Sequence, residues 1–543
     1  MSGRVGPSGG ALSEHEQRIH DRRWVTLGVL CLSLLVIVMD NTILNVAIPS
    51  LINDLGASNS EIQWIIDSYT LVFAGLLLTT GSLSDRFGRK GALQIGIVLF
   101  GIGSASAALS HSTVHLIASR AFMGIGGALI MPATLSILTN VFRDPRERGR
   151  AIAIWAGFSG LAVAIGPLTG GLLLKHFEWN SVFWVNIPLG LTALVAGYFF
   201  VPTSKDPNQG QLDPFGAILS IVGLGSLLFG IIEGPSKGWT DPWVLGAFAL
   251  GIVAMASFIT WELHSTHPML DMRFFKNPRF TAANSAITMT FFAMFGSMFL
   301  MTQYWQFVHG YSPLGAGVRM IPYATTMMVV APLSARFVER LGTKRVVTTG
   351  LLIVATALTA LSFIQATTPY PVAILGFCLM AAGMGMTMAP ATESVMGSLP
   401  RDKAGVGSAV NDTTRQMGGA LGVAIIGSVV SSVYAAHITD LAGRFGLSGD
   451  SLTTARGSLG GALAVGRDLG PSGPAFVTAV KESFVDALSN GLRLSASVIL
   501  VAAFVAWRFL PARAKDPLAT DIADIAEAAT ADAAAVAVPV GGG

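Results

Sequence analysis

The stretch GSLSDRFGRKGAL, residues 81–93, separates two long apolar runs near 62–84 and 91–110. A helix rises about 1.5 Å per residue and needs about 20 apolar residues to cross a hydrocarbon core of about 30 Å. Both flanking runs meet that length. The turn between them carries Arg86, Arg89 and Lys90, and positive charge in a short loop marks the cytoplasmic side of a membrane. Gly81 permits close helix contact and Gly88 a sharp turn. Asp85 stands at a helix end, where it can pair with an arginine or accept backbone N–H bonds from a neighbouring helix. The stretch reads as the cytoplasmic turn of a membrane hairpin.

Working outward, fourteen apolar runs of spanning length lie between residues 24 and 510. The composition agrees: 52% of residues are hydrophobic and 12% charged, against about 25% charged in a soluble domain. Basic clusters at Arg143, Arg146, Arg148 and Arg150, at Arg273, Lys276 and Arg279, and at Arg340, Lys344 and Arg345 fall on one side of a fourteen-span layout. The short connections opposite hold only Lys175, Lys237 and Arg319. Both termini are therefore expected in the cytoplasm. A net charge of +3 spread over short loops gives no nucleic-acid face. Cys31 and Cys378 lie inside apolar runs and read as packing residues.

An internal repeat organises the runs. GGALIMPATLSILTNVFRDPRERGRA from Gly126 resembles MGMTMAPATESVMGSLPRDKAGVGSA from Met384. One offset carries Pro132 onto Pro390, Arg143 and Asp144 onto Arg401 and Asp402, and Gly149 onto Gly407. A weaker echo links DRFGRK at 85–90 to ERLGTK at 339–344, where Glu339 and Thr343 depart from the first copy. The expected layout is a cytoplasmic tail 1–23, a six-helix half 24–202 and two linker helices within 203–267. A second six-helix half 268–510 follows, with one long outer loop 437–488 that has room for short helices, and then a disordered cytoplasmic tail 511–543. Parallel halves around a midplane site are a common secondary-transporter plan.

The loop at 81–93 resembles the cytoplasmic signature of the major facilitator superfamily. MDNTILNVAIP (39–49) is similar to the first-helix motif of its fourteen-helix drug:proton antiporter branch, and LIASRAFMGIGGA (116–128) to the fourth-helix motif with its intramembrane arginine. GPLTGG (166–171) resembles the fifth-helix antiporter motif, and WNSVFWVNIPLG (179–190) the entry to the sixth helix. The resemblance implies an all-α membrane protein of the major facilitator fold, with two six-helix bundles plus two further helices. It also implies a gating loop formed by Gly81, Asp85, Arg86, Gly88, Arg89 and Lys90. Gly166, Pro167, Gly170 and Gly171 would seal the cavity against leak; read alone, they are a small-residue packing pattern.

Charges inside membrane helices cost at least about 2.5–3.5 kcal/mol at the centre and so demand a reason. Asp40 sits in the first span and Arg120 in the fourth. A carboxylate that alternates between protonated and charged forms supplies coupling, and a nearby cation tunes it. A structural polar contact is the competing reading. The family resemblance implicates Asp40 in activity and places Arg120 in proton coupling, and both are taken as proton-coupling candidates. Asp67, in the second span, is a third candidate, with hydration at a position nearer the outer end as the alternative. Glu393 and Asp412 are candidates for a second acidic, substrate-binding site; Asp412 and Arg415, three apart on one helix, can instead neutralise one another. Met289, Phe291, Phe292, Met294, Phe295, Met298 and Phe299 crowd one helix. They suit a polyspecific cavity, but a lipid-facing surface is the preferred reading.

The expected function is a proton-driven antiporter exporting amphipathic, often cationic compounds across a bacterial cytoplasmic (inner) membrane. It would act as a monomer among membrane lipids, with protons and small-molecule substrates as its partners, no nucleic acid and no cofactor. Export of one endogenous metabolite, siderophore or lipid is the alternative, and a non-transporting scaffold ranks below both. A membrane enzyme is disfavoured because the chain shows no P-loop, nucleophile elbow or metal-ligand spacing. His264 and His267 lack further ligands nearby.

Overall fold

The computed structural model describes residues 14–142, 144–204, 213–266, 268, 270, 272–396, 398 and 404–511, among which no strand occurs. The helices are α1 (Glu14–Leu55), α2 (Asn59–Phe87), α3 (Arg89–Ala108), α4 (Thr113–Val141), α5 (Pro145–His176), α6 (Ser181–Trp184), α7 (Asn186–Phe200), α8 (Pro214–Lys237) and α9 (Pro242–His264). They continue as α10 (Pro278–Gln303), α11 (Pro313–Arg319), α12 (Ile321–Leu341), α13 (Thr343–Leu361), α14 (Tyr370–Met396), α15 (Ala404–Phe445), α16 (Gly449–Gly457), α17 (Leu459–Asp468) and α18 (Gly473–Phe509).

Local sequence sets the helix ends. Ser58 and Glu61 form a capping box at α2. Asp213 and Asp241 cap α8 and α9 by accepting from Gly216 N and Trp243 N, each at 2.8 Å, with proline at the first helical position. Between α2 and α3 the chain turns at Gly88, φ +117°, and between α12 and α13 at Gly342, φ +82°. Both φ values lie in the region that favours glycine. The two echoed loops thus share a backbone solution.

Twelve segments, from His20–Leu55 to Gly470–Phe509, are long and apolar enough to cross a membrane, judged on described residues alone. The sequence pointed to fourteen. The long helices outside the twelve are α2 and α5, of 29 and 32 residues, where several side chains lie outside the described residues; the short α16 and α17 also fall outside them.

Three boundaries differ from expectation. Residues 14–23 are not a separate tail but the start of α1. The span 437–488 is mostly helical: α15 continues to Phe445, α16 and α17 follow, and α18 begins at Gly473 rather than near 489. Hydropathy misses such extensions because a helix continues past the apolar run once its polar residues find water or partners. The tail 512–543 lies outside the described residues.

Helices α1–α7 pack as one set, with α2 and α3 against α4 and with α1 against α5 and α7; α10 and α12–α15 pack with α18 as another. The pair α8–α9 packs on itself, and α8 rests on α2 and α15. Leu71, Leu228, Ile232 and Ala424 are buried at that junction.

The Met- and Phe-rich helix α10 is not lipid-facing. Phe292, Met298 and Phe299 are buried and Met289, Phe291, Met294 and Phe295 half-buried. A Cβ on Gly418 or Gly422 of α15 would strike the carbonyls of Thr288 and Phe292. Composition alone cannot separate a lipid face from a protein face, because both are apolar.

Candidate functional site

The site is built where α1, α4 and α7 meet. Asp40 is 1% exposed and Arg120 fully buried, and Arg120 Nη1 donates to Asp40 Oδ2. The other carboxylate oxygen, Oδ1, accepts from Asn186 Nδ2 at 2.8 Å. The same amide nitrogen lies 3.1 Å from Ser104 Oγ, which donates to Phe183 O. Arg120 is fixed further by Nε donating to Ile65 O at 3.1 Å and by Tyr69, whose ring lies 4.5 Å beneath the guanidinium carbon. Charge pairing plus hydrogen bonds is what makes two buried charges tolerable.

This network is incompletely satisfied. Among the described residues, Arg120 Nη2, Tyr69 Oη and Asn186 Oδ1 are buried with no hydrogen-bond partner. Glycine allows the close packing here: a Cβ on Gly127 would lie 2.7 Å from Tyr69 Oη. Asn186 and Tyr69 were not singled out in the sequence. The signal was present for Asn186, an amide within the apolar stretch WVNIPLG. An amide costs far less to bury than a charge, so it stands out less.

The other candidates lie apart. Asp67 is fully buried, and neither of its carboxylate oxygens has a partner among the described residues. Burial follows from its place one turn from Gln63, which meets Gly427 on α15. Asp412 pairs with Arg415 at 3.5 Å; Arg415 also donates to Thr392 Oγ1 at 2.9 Å and lies 5.6 Å from the Phe291 ring. Glu393 is exposed.

In the loop at 81–93, Lys90 Nζ donates to Tyr198 O at 2.7 Å and Arg89 N to Ser204 O at 3.1 Å, tying the turn to the end of α7. The side chains of Asp85 and Arg86 lie outside the described residues. Gly81 has room for a Cβ, with Pro132 Cβ 3.7 Å away, so close contact does not require it.

Small residues seat α5 closely against both α1 and α11. Within the first set, a Cβ on Gly166 would strike Thr42 of α1, and one on Gly170 would lie 2.7 Å from Ile43 Cγ1. A Cβ on Gly171 would strike the Leu314 backbone of α11, and one on Gly317 the Pro167 carbonyl. After α10, a π-helical turn, Tyr304–Val308, brings Gln306 to donate to Val46 O of α1 at 2.9 Å. Such turns recur at functional positions. Gly460 of α17 packs on Ile52 and Phe307.

A bundle of apolar spanning helices, with a buried ion pair and closely apposed helix sets, is a multi-pass membrane transporter. The chain belongs to the Major Facilitator Superfamily, whose family model matches residues 30–423. It is 34% identical over 490 residues to the multidrug efflux pump LfrA of Mycolicibacterium smegmatis, covering 90% of this chain and 96% of that protein. It is also 34% identical over 499 residues to the methyl viologen resistance protein SmvA of Salmonella typhimurium, covering 90% and 98%. Among solved structures, it resembles a bacterial homologue of the human lysosomal transporter Spinster, with a TM-score of 0.63 at 20% identity over 91% of this chain and 99% of that one.

Proposed function

We propose that this protein is a proton-coupled antiporter that exports amphipathic, often cationic drugs by alternating access. The observation that carries the reading is the buried Asp40–Arg120 pair joining α1 to α4, braced by Asn186 from α7. Both carboxylate oxygens receive donors, an arrangement suited to the ionised form. Protonation of Asp40 weakens its hold on Arg120 and loosens three helices at once. Return of the charge restores the clamp. Cationic substrate and proton compete for the same negative charge, which is the condition for exchange. The names of the relatives, a multidrug efflux pump and a methyl viologen resistance protein, support drugs and cations as cargo.

In this reading the chain spans a bacterial inner membrane fourteen times, α2 and α5 being the two spans beyond the twelve. Halves 24–202 and 268–510 flank the α8–α9 pair within 203–267, and both termini are cytoplasmic. The basic loops support this orientation. The α16–α17 end is then the outer end, and GPLTGG on α5 closes it against α11. Asp67, Asp412 and Glu393 serve as further acidic sites for proton or cation. The gating loop, with Asp85 and Arg86, holds the inner end.

The test is transport of a lipophilic cation into everted vesicles under an imposed proton gradient. Uptake should collapse with the gradient, and Asp40→Asn should abolish it. Gradient-driven uptake at the wild-type rate in Asp40→Asn would remove the assignment.

A further inference from the structure

A cavity of about 860 Å3 lies between α2, α8 and α9, away from the Asp40–Arg120 network. Trp64, Leu71, Ile221, Phe229, Trp243 and Leu250 line it. Its volume falls within the range of small-molecule sites. It opens sideways, since Trp243 is 77% and Leu250 52% exposed. In a bilayer that side faces hydrocarbon, and apolar chains fill a slot of this kind where water gains nothing. Gly246, on the α9 wall, has open space where a side chain would begin.

A charged pair adjoins the lining. Trp64 Nε1 donates to Glu233 Oε1 at 3.1 Å, and Lys237 Nζ lies 3.5 Å from Glu233 Oε2. Lys237 also sits 5.8 Å from the Phe229 ring. Its side chain is 45% exposed and that of Glu233 17%, so both can meet a headgroup. Trp239 and Trp243 stand exposed at the same level, as tryptophans do at a membrane–water interface. The combination is an apolar slot whose lining Trp64 and Phe229 adjoin a carboxylate and an ammonium, while Asp241 is engaged in capping α9.

We propose that this cavity binds phosphatidylethanolamine from the leaflet beside the α8–α9 turn. One acyl chain occupies the slot, the lipid ammonium meets Glu233 and the phosphate meets Lys237. Phosphatidylcholine fills the slot equally well, but its quaternary ammonium has no hydrogen to donate to the carboxylate. A lipid with only negative charge is repelled by Glu233. The site stands independently of which ion drives transport or in which direction.

The test reconstitutes the full chain in nanodiscs of equal phosphatidylethanolamine and phosphatidylcholine with matched chains, then reads retained lipid by native mass spectrometry. Phosphatidylethanolamine should be retained several-fold over phosphatidylcholine. Gly246→Trp, which fills the slot, should lose the bound lipid, and Ala247→Phe provides a second filling variant. Glu233→Gln should keep a bound lipid but bind both headgroups equally. Equal retention of the two lipids by the wild-type protein overturns the proposal, as does undiminished lipid in a folded filling variant. Should both filling variants fail to fold, the wild-type ratio and Glu233→Gln decide. Displacement of the lipid by tetraphenylphosphonium would also overturn it, making the slot a vestibule for cargo.

Discussion

Asp40 and Arg120 join two helices, whereas Asp412 and Arg415 lie within one turn of α15. The first pair is buried and braced from a third helix by Asn186. The second pair is longer, at 3.5 Å, with side chains 16% and 26% exposed. A pair within one helix is blind to how helices move, because its geometry travels with its own backbone. A pair between helices reports their separation and changes it when one charge is lost. Only the first has the construction of a switch.

The sharpest way to break this contrast is Arg120→Ala, which leaves a buried aspartate unpaired at a cost of about 3–5 kcal/mol. We expect a large drop in thermal unfolding temperature in detergent and no proton-driven uptake. Asp40→Asn combined with Arg120→Gln should recover much of the stability but none of the coupling. Coupled transport in that double variant would show that the pair is scaffold alone.

Gly171→Leu drives a side chain into the Leu314 backbone, and overpacking of this kind costs about 1–3 kcal/mol. Thiol labelling of a cysteine placed near Val46 should rise as the α16–α17 end is forced apart. Unchanged labelling would mean that the contact does not control access.

Asn186→Leu leaves one Asp40 oxygen and Ser104 short of a partner, at about 1–3 kcal/mol. Coupled uptake should slow yet stay measurable, in contrast to Asp40→Asn. At Asp412, an Asn substitution should cost under about 1 kcal/mol, as for other partly exposed pairs. If it unfolds the protein as readily as Arg120→Ala, the contrast fails.

The smallest effect belongs to Glu147, at the start of α5, whose Oε2 accepts from Arg23 Nε at 2.9 Å. That hydrogen bond holds the Glu147 carboxyl below its ordinary value, against some burial. A depressed carboxylate contributes stability above the ordinary glutamate range and loses it as pH falls through its folded value. Glu147→Gln should therefore cost less than about 1 kcal/mol of stability at neutral pH, read as a slightly lower unfolding temperature. The difference from wild type should vanish in acid.

Much of this was legible because charge in an apolar run is conspicuous. Asp40 and Arg120 stood out for that reason, although nothing in their spacing said that they touch. Their brace did not stand out, since Asn186 and Tyr69 are ordinary residues in a membrane helix until packing brings them to the pair. Burial at Asp67 was not legible, because depth along a helix says little about which neighbour covers a side chain; α2, which carries it, packs against α15 as well as α4. Polar helix extensions were invisible for a related reason. Lys481 and Glu482 interrupt the apolar pattern in α18, yet Lys481 Nζ donates to Val308 O at 2.9 Å and the helix runs through.

The contact of Gly171 and Gly317 with opposing backbone bears on energy conservation in the cell. Side-chain plugs can open by degrees, because each side chain has several rotamers and each rotamer passes a different leak current. Backbone against backbone has no such intermediate settings. If α5 and α11 form the outer closure as proposed, it behaves as a digital valve, shut until whole helices separate, so idle molecules would not short-circuit the membrane. On that proposal, substitutions elsewhere in the bundle leave the insulation untouched, and these few glycines carry it.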